Sequence, residues 1–181
     1  MSVTYPLGFR ARGVQAGLRT KPAPDLALIV NDGPRDTVAG VFTTNRVSAA
    51  PVQWSRQVVS DHKARAVIAN AAVANACTGI DGLTDSQCEA EHVATLVGCQ
   101  TDEVVVASTG VIGVRLDMPS ILVGATTAHT SLDRGDAVDE SAARAIMTTD
   151  TVPKSATVER NGTRFGGIAK GAGMLAPQLA T

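Results

Sequence analysis

No stretch of this sequence concentrates lysine or arginine, and 16 basic residues set against 17 acidic ones leave a net charge of −1. Binding a polyanion or an anionic lipid surface normally requires a basic patch, so neither nucleic acid nor a membrane surface is expected as a partner. Long apolar runs are also missing. Stretches such as residues 66–69 and 104–107 are far shorter than the roughly 20 residues that cross a bilayer. The opening residues, MSVTYPLGFRARG, contain no apolar segment and no small-residue cleavage site. Nothing marks the chain for secretion, and a soluble, cytoplasmic protein is expected.

Cysteine is scarce. Cys77, Cys88 and Cys99 are odd in number and form no C-x-x-C pair, which argues against a disulfide framework or thiolate metal site and predicts reduced thiols acting as small core residues. His62, His92 and His129 lack metal-ligand spacing, so no metal is expected. None of them accompanies a plausible nucleophile in a context that would build a Ser-His-Asp or Cys-His constellation. Gly171-Ala172-Gly173-Met174-Leu175-Ala176 matches the dinucleotide fingerprint on paper. That fingerprint must open a helix with an acidic residue about 20 positions on. Here Pro177 follows and the sequence ends at Thr181.

A hydrophobic content of 44% supplies enough apolar surface for a core. Val- and Ile-rich runs bounded by turn residues predict strands at 25–31, 37–43, 64–70 and 103–108, with Asn31-Asp32-Gly33-Pro34 joining the first two as a hairpin. Helical periodicity predicts a helix from Thr84 to Val97, with Cys88, Val93, Leu96 and Val97 on one face and Gly98 as its stop. A second helix should follow Asp117 with Pro119 in its first turn and bury Ile121, Leu122 and Ala125, and a third should run from Asp139 to Met147. Residues 156–159 and 163–168 read as extended. The fold class is α+β, a layered sandwich of helices and mainly antiparallel sheets.

Three segments could carry chemistry. Ser108-Thr109-Gly110-Val111-Ile112-Gly113 follows an apolar strand; it is either a turn using glycine's freedom or a source of exposed amides and a hydroxyl for an oxyanion. Asn70 to Gly79, NAAVANACTG, is either a polar loop near a site or simple packing, and Met147 to Thr151 reads as a helix end more than a ligand pocket. The last segment, KGAGMLAPQLAT, is apolar up to Thr181 and reads as a cut rather than a natural end. Cleavage before Thr181 would free an α-amino group, with an unperturbed pKa of about 7.7 to 8, beside its own hydroxyl. Such a threonine carries nucleophile and base together.

Four segments appear in a telling order: GFRARGVQAGLR, ASTGVIG, AIMTTDTVPK and KGAGMLAPQLAT. The chain resembles the ornithine acetyltransferase family, also called glutamate N-acetyltransferase, along its whole length. The ending KGxGM-x-x-P-x-x-AT is the most specific piece. The resemblance implies a precursor that cleaves itself between Ala180 and Thr181, making residues 1–180 an α chain with a single α+β domain. Thr181 would begin a β chain that completes the fold, with two α and two β chains forming a heterotetramer. It implies acetyl transfer from N-acetylornithine to glutamate through an acetyl-threonine, in arginine biosynthesis and without a cofactor. Thr181 would be the nucleophile, Thr109 (hydroxyl) and Gly110 (backbone N–H) the oxyanion hole, and Thr148, Lys170 and Thr181 the substrate contacts. Lys170 suits a substrate carboxylate as a point charge.

One departure stands out. The family commonly reads NSGNANACTG where this chain has Ala71, Ala72 and Val73 in place of Ser, Gly and Asn. A specialised paralogue, such as the family member of clavulanic acid gene clusters, is one explanation. Two rival readings are an N-terminal-nucleophile amidase or aminopeptidase that releases the acyl group to water, and a non-enzymatic binding protein whose Gly-rich tail only packs. Mass spectrometry of the full gene product is expected to find two fragments meeting at Ala180 and Thr181, and Thr181→Ala is expected to leave one uncut, inactive polypeptide. A wild-type polypeptide that stays intact on storage contradicts self-cleavage.

Overall fold

The computed structural model describes residues 1–171. Its main sheet grows from four short apolar segments, β1 (Phe9–Val14), β2 (Leu26–Asn31), β3 (Ala66–Asn70) and β4 (Val104–Ser108), in the spatial order 1-2-3-4. β1 and β2 pair antiparallel, as do β2 and β3, whereas β3 and β4 are parallel. A parallel pair needs a crossover. Helix α2 (Gly79–Val97) supplies it, after α1 (Ala50–Val58) has preceded β3. Helices α3 (Met118–Thr130) and α4 (Asp136–Ala145) follow, and β5 (Lys154–Arg160) and β6 (Thr163–Ala169) form a separate antiparallel hairpin.

Side chains alternate across a strand, so the sheet has two differently covered faces. Leu26, Leu28, Val30, Ile68, Val104 and Val106 point into one core with Ala90 and Val93 of α2 and Ile121, Ala125 and Ala128 of α3. On the other face, Ala11 and Ala27 meet Ala142 and Ala145 of α4. Small residues let α4 lie close. A Cβ added at Gly13 would sit 2.0 Å from the carbonyl oxygen of Ser141. The edge of β4 is closed by α1, where Ser55 Oγ donates to the Val106 carbonyl (2.6 Å) and accepts from the Val106 N–H (2.9 Å). Trp54 Nε1 donates to the Val104 carbonyl at 3.0 Å. Side chains thus occupy backbone groups that would otherwise template another strand.

Several expectations hold and several are corrected. Gly98 ends α2 with φ 77°, and Asp117 caps α3 by accepting from the Ser120 N–H. The extended segments at the end form β5 and β6. The strand expected at 37–43 does not form: among the described residues its one pairing is an isolated bridge between Thr37 and Lys63. The expected hairpin fails because both edges of β2 are taken, by β1 and β3. Helix α2 starts at Gly79 rather than Thr84, and α1, with Pro51 in its first turn, was not anticipated. The cysteines are free, but they are not core residues: Cys77 and Cys88 are exposed and Cys99 is half-buried. The buried face of α2 instead runs through Asp85, Ser86, Glu89, Ala90 and Val93. No helix among the described residues is long and apolar enough to cross a membrane.

Glu89 is the anomaly of that core. It is fully buried, and neither carboxyl oxygen has a partner among the described residues. Asp85, by contrast, is held by Arg115 through contacts of 2.6 and 3.0 Å. Burial, with Asp85 adding its charge, pushes the Glu89 carboxyl up from 4.5 to about 8. The folded chain therefore binds this proton more tightly than the unfolded chain does. Stability is undiminished below about pH 4.5 and is lost as the pH rises towards about 8. Glu89→Met, which keeps the volume without the charge, is expected to stabilise the protein by on the order of 2 kcal/mol at pH 8 and much less at pH 5. Thermal unfolding across that range checks it; a gain independent of pH contradicts the assignment.

Candidate active site

The parallel register of β3 and β4 sets Asn70 beside Ser108, so the two strands end together. The chains that leave them then run side by side. Thr109 N–H donates to the Asn70 carbonyl (3.0 Å), Val111 N–H to Ala72 (2.8 Å), Ala74 N–H to Val111 (2.9 Å) and Gly113 N–H to Ala76 (2.8 Å). This ladder uses the amides of Thr109 and Val111 and passes over that of Gly110, which donates to no described residue. Gly110 has φ 140°, and a Cβ there would lie 2.1 Å from the Ala72 oxygen. Only glycine fits, and its amide stays available.

The 70–79 loop keeps its shape through two asparagines. Asn70 Nδ2 donates to the carbonyls of Ala71 (3.1 Å) and Val73 (3.0 Å). Asn75 Nδ2 donates to the Gly82 carbonyl (2.9 Å) and Ser86 Oγ (3.1 Å), while its Oδ1 accepts from the Thr78 hydroxyl at 2.7 Å. The departure at residues 71–73 leaves this frame in place. Ala72, however, has φ 81°, in a region where Cβ is unfavourable and glycine is not. A glycine at this position would be free of that strain.

Lys170 follows β6 and reaches this turn, its Nζ donating to Thr109 Oγ1 at 2.7 Å. Desolvation lowers the ammonium's pKa and the charge of Asp150 opposes the shift. Asp150, whose side chain is 0% exposed, accepts from the Lys154 ammonium and from the backbone N–H groups of Gly171 and Thr148. Those bonds, that of Lys154 first and Gly171 second, hold its carboxyl well below the usual carboxylate range. A cavity of about 350 Å³ opens beside Thr109 and Lys170, walled by apolar residues that include Phe42, Val52, Ala107 and Ile146. Among the described residues, Lys170 is the one ionisable side chain on its lining.

Of the residues expected from the sequence, Thr109 and Lys170 meet directly, Gly110 follows Thr109 in the chain, and Thr148 joins them through its backbone bond to Asp150. Ala180 and Thr181 lie outside the described residues. Two residues of the cluster were missed. Asp150 had been read as part of a helix end, although its spacing of four from Lys154 was a signal. Asn70 is expected at the end of a strand and the start of a loop that either lies near a site or simply packs, with no role of its own. Such an arrangement, a hydroxyl and an unused amide beside an apolar cavity with a cation behind the hydroxyl, can stabilise negative charge developing on an acyl oxygen.

Comparison with known proteins gives one consistent result. The ArgJ family model matches residues 10–181. The arginine biosynthesis bifunctional protein ArgJ of Thermobifida fusca is 52% identical over 181 residues, covering 100% of this chain and 47% of that protein. Its counterpart in Mycobacterium tuberculosis is 49% identical over 185 residues, covering 99% of this chain and 46% of its own length. The chain thus spans about half the length of the curated relatives it matches. The crystal structure of ornithine acetyltransferase complexed with ornithine from M. tuberculosis is 47% identical with a TM-score of 0.94, over 97% of this chain and 94% of that one. The argJ protein of Bacillus halodurans is 36% identical with a TM-score of 0.86, over 98% and 93%. Helices with mixed sheets in this α+β arrangement are common to all three.

The strain at Ala72 is open to measurement. Ala72→Gly is expected to raise stability by about 1 kcal/mol, because removing the Cβ outweighs the added freedom of the unfolded chain. Denaturant unfolding checks it. A loss of stability instead means that the backbone there is not held at positive φ.

Proposed function

The chain belongs to the ArgJ family, and we propose that it is the α chain of a self-processed acetyltransferase that moves acetyl from N-acetylornithine to glutamate. The observation that carries this reading is the pairing of the Thr109 hydroxyl with the unused Gly110 N–H beside an apolar cavity. Two donors stand ready for an oxyanion, and the nucleophile they would serve is Thr181, the first residue of a β chain. Matched lengths support processing. This chain covers 46% of the curated M. tuberculosis relative but 94% of the crystallised M. tuberculosis chain, as a protein divided into two chains would give.

The chemistry follows from the groups. The α-amino group of Thr181 takes the proton of its own hydroxyl, and the oxygen attacks the acetyl carbonyl of N-acetylornithine. The carbonyl's π electrons move to its oxygen, which Thr109 and Gly110 receive. Collapse breaks the amide C–N bond, the leaving nitrogen takes the proton, and ornithine departs from an acetyl-threonine ester. The amine of glutamate then attacks the ester through the same oxyanion and regenerates the threonine hydroxyl. Each oxyanion donor contributes on the order of 10²–10³ in rate. The resemblance offers Thr148 and Lys170 as this chain's residues beside the substrate, and the β chain would supply the remaining contacts.

The surface fits a missing partner. The hairpin of β5 and β6 pairs Val158 with Phe165 on one face, and they are 57% and 52% exposed. An isolated two-stranded sheet is marginal in water. A β chain covering it would complete the layer, and two αβ pairs would form the heterotetramer. The relatives' names favour the arginine pathway over a specialised one.

The mature protein, incubated with N-acetylornithine, is expected to produce N-acetylglutamate only when glutamate is present. Chromatography of the products with and without glutamate decides it. Acetate release at a rate indifferent to glutamate supports the amidase alternative and overturns the transferase.

A further inference from the structure

The expected role of Lys170 was to receive a substrate carboxylate, yet its ammonium is already engaged by Thr109 Oγ1 at 2.7 Å. An ammonium has donors and no acceptor. The Thr109 oxygen must therefore accept, and its own proton must point away from Lys170. No described residue takes that proton. We propose that Asp150 and Lys170 are a positioning pair for the oxyanion hole: Asp150 fixes the chain that carries Lys170, and Lys170 fixes the direction in which Thr109 offers its hydroxyl proton. This rests on the acyl-transfer reading of Thr109.

The fixing is visible in the backbone. Lys154 pairs with Ala169 in the register of β5 and β6, so the ladder holds the chain just before Lys170. Asp150 holds it just after, through the Gly171 N–H, and ties the same point to Lys154 and to the Thr148 N–H. A carboxylate 0% exposed with three donors from three places in the chain has little freedom to relax. The cation also strengthens Thr109 as a donor, because a hydroxyl that accepts a charge-assisted bond gives up its own proton more readily. Were Lys170 neutral, its lone pair could accept from Thr109 and turn that proton away from the substrate.

The charges around Lys170 make the pair testable by pH. Burial lowers its pKa, Asp150 opposes that, and Lys154 sits on Asp150. No other ionisable side chain among the described residues lines the cavity. Removing the charge of Asp150 leaves burial unopposed, so Lys170 loses its proton at lower pH. The Thr181 amine must be neutral to act as base and so governs the acid limb. The alkaline limb belongs to Lys170.

The experiment uses the matured full-length protein, as wild type, Asp150→Asn and Lys170→Met, with rate–pH profiles and NMR titration of ¹³Cε-labelled lysine. Asp150→Asn is expected to lower kcat, by up to about 10²-fold as for a misplaced catalytic group, to change KM less, and to move the alkaline limb to lower pH. Lys170→Met should lower kcat similarly and abolish that limb, which keeps the test alive should Asp150→Asn fail to mature. Variants that raise KM with kcat and pH profile unchanged overturn the proposal in favour of carboxylate binding. If the wild type transfers no acetyl, the acyl-transfer reading falls, and the Lys170 resonance still decides the pair. A titration moved to lower pH by Asp150→Asn supports it, and an unmoved one overturns it.

Discussion

The parallel pairing of β3 with β4 is the constraint on which the rest depends. Because the two strands run the same way and end in register at Asn70 and Ser108, the segments that follow leave at one end of the sheet and pair with each other. The bonds from Thr109 to Asn70 and from Val111 to Ala72 continue the sheet by two steps after its side chains have stopped alternating. Gly110 lies in the gap of that ladder, with the Ala72 carbonyl too near to admit any side chain. An antiparallel pair would have sent the two segments to opposite ends. Helix α2 exists at this point in the chain because a parallel neighbour needs a crossover.

Buried acidic and amide groups do much of the work that large side chains do elsewhere, in a chain whose aromatic content is 3%. Asp25 gathers the N–H groups of Ala16, Leu18 and Arg19, holding the loop between β1 and β2. Asp139 of α4 receives the N–H groups of Ser2 and Thr4 and the Thr4 hydroxyl, fastening the first residues to a helix. Asp150 does the same for the ends of the last hairpin. Each carboxylate satisfies several backbone donors that would otherwise be buried without partners. Glu89 is the exception, buried with no donor among the described residues, and its environment favours the protonated acid.

The layers are unequally covered, and that inequality lies next to the site. The β1–β2 half of the sheet carries helices on both faces. On the β3–β4 half, the face opposite α2 and α3 includes Ala69 and Ala107, which line the cavity beside Thr109. Val111, Ile112 and Val114, which follow Gly110 in the chain, are exposed, and so are Val158 and Phe165 on the separate hairpin. Apolar exposure of this kind marks a surface that a partner can cover.

By itself the sequence determined the elements whose signals are local. Gly98 had to end α2, Asp117 and Pro119 had to open α3, and the apolar runs of β2, β3 and β4 had to be strands. Thr109, Gly110 and Lys170 were candidates because their segments resemble a family in order and residue, and the structure sets Lys170 on Thr109. Pairing was not legible. Whether β2 joined a downstream hairpin or β1 and β3 depended on competition for its two edges, and β1 hid behind Arg10 and Arg12. The exposed cysteines and buried Glu89 show why a helix phase read from apolar residues alone goes astray when polar residues occupy the buried stripe. Only the tertiary structure set the Lys170 ammonium on Thr109 and Asp150 behind it. Those contacts join residues 61 positions apart and 21 positions apart, and nothing in local spacing encodes a distance that the sheet and hairpin create by folding together.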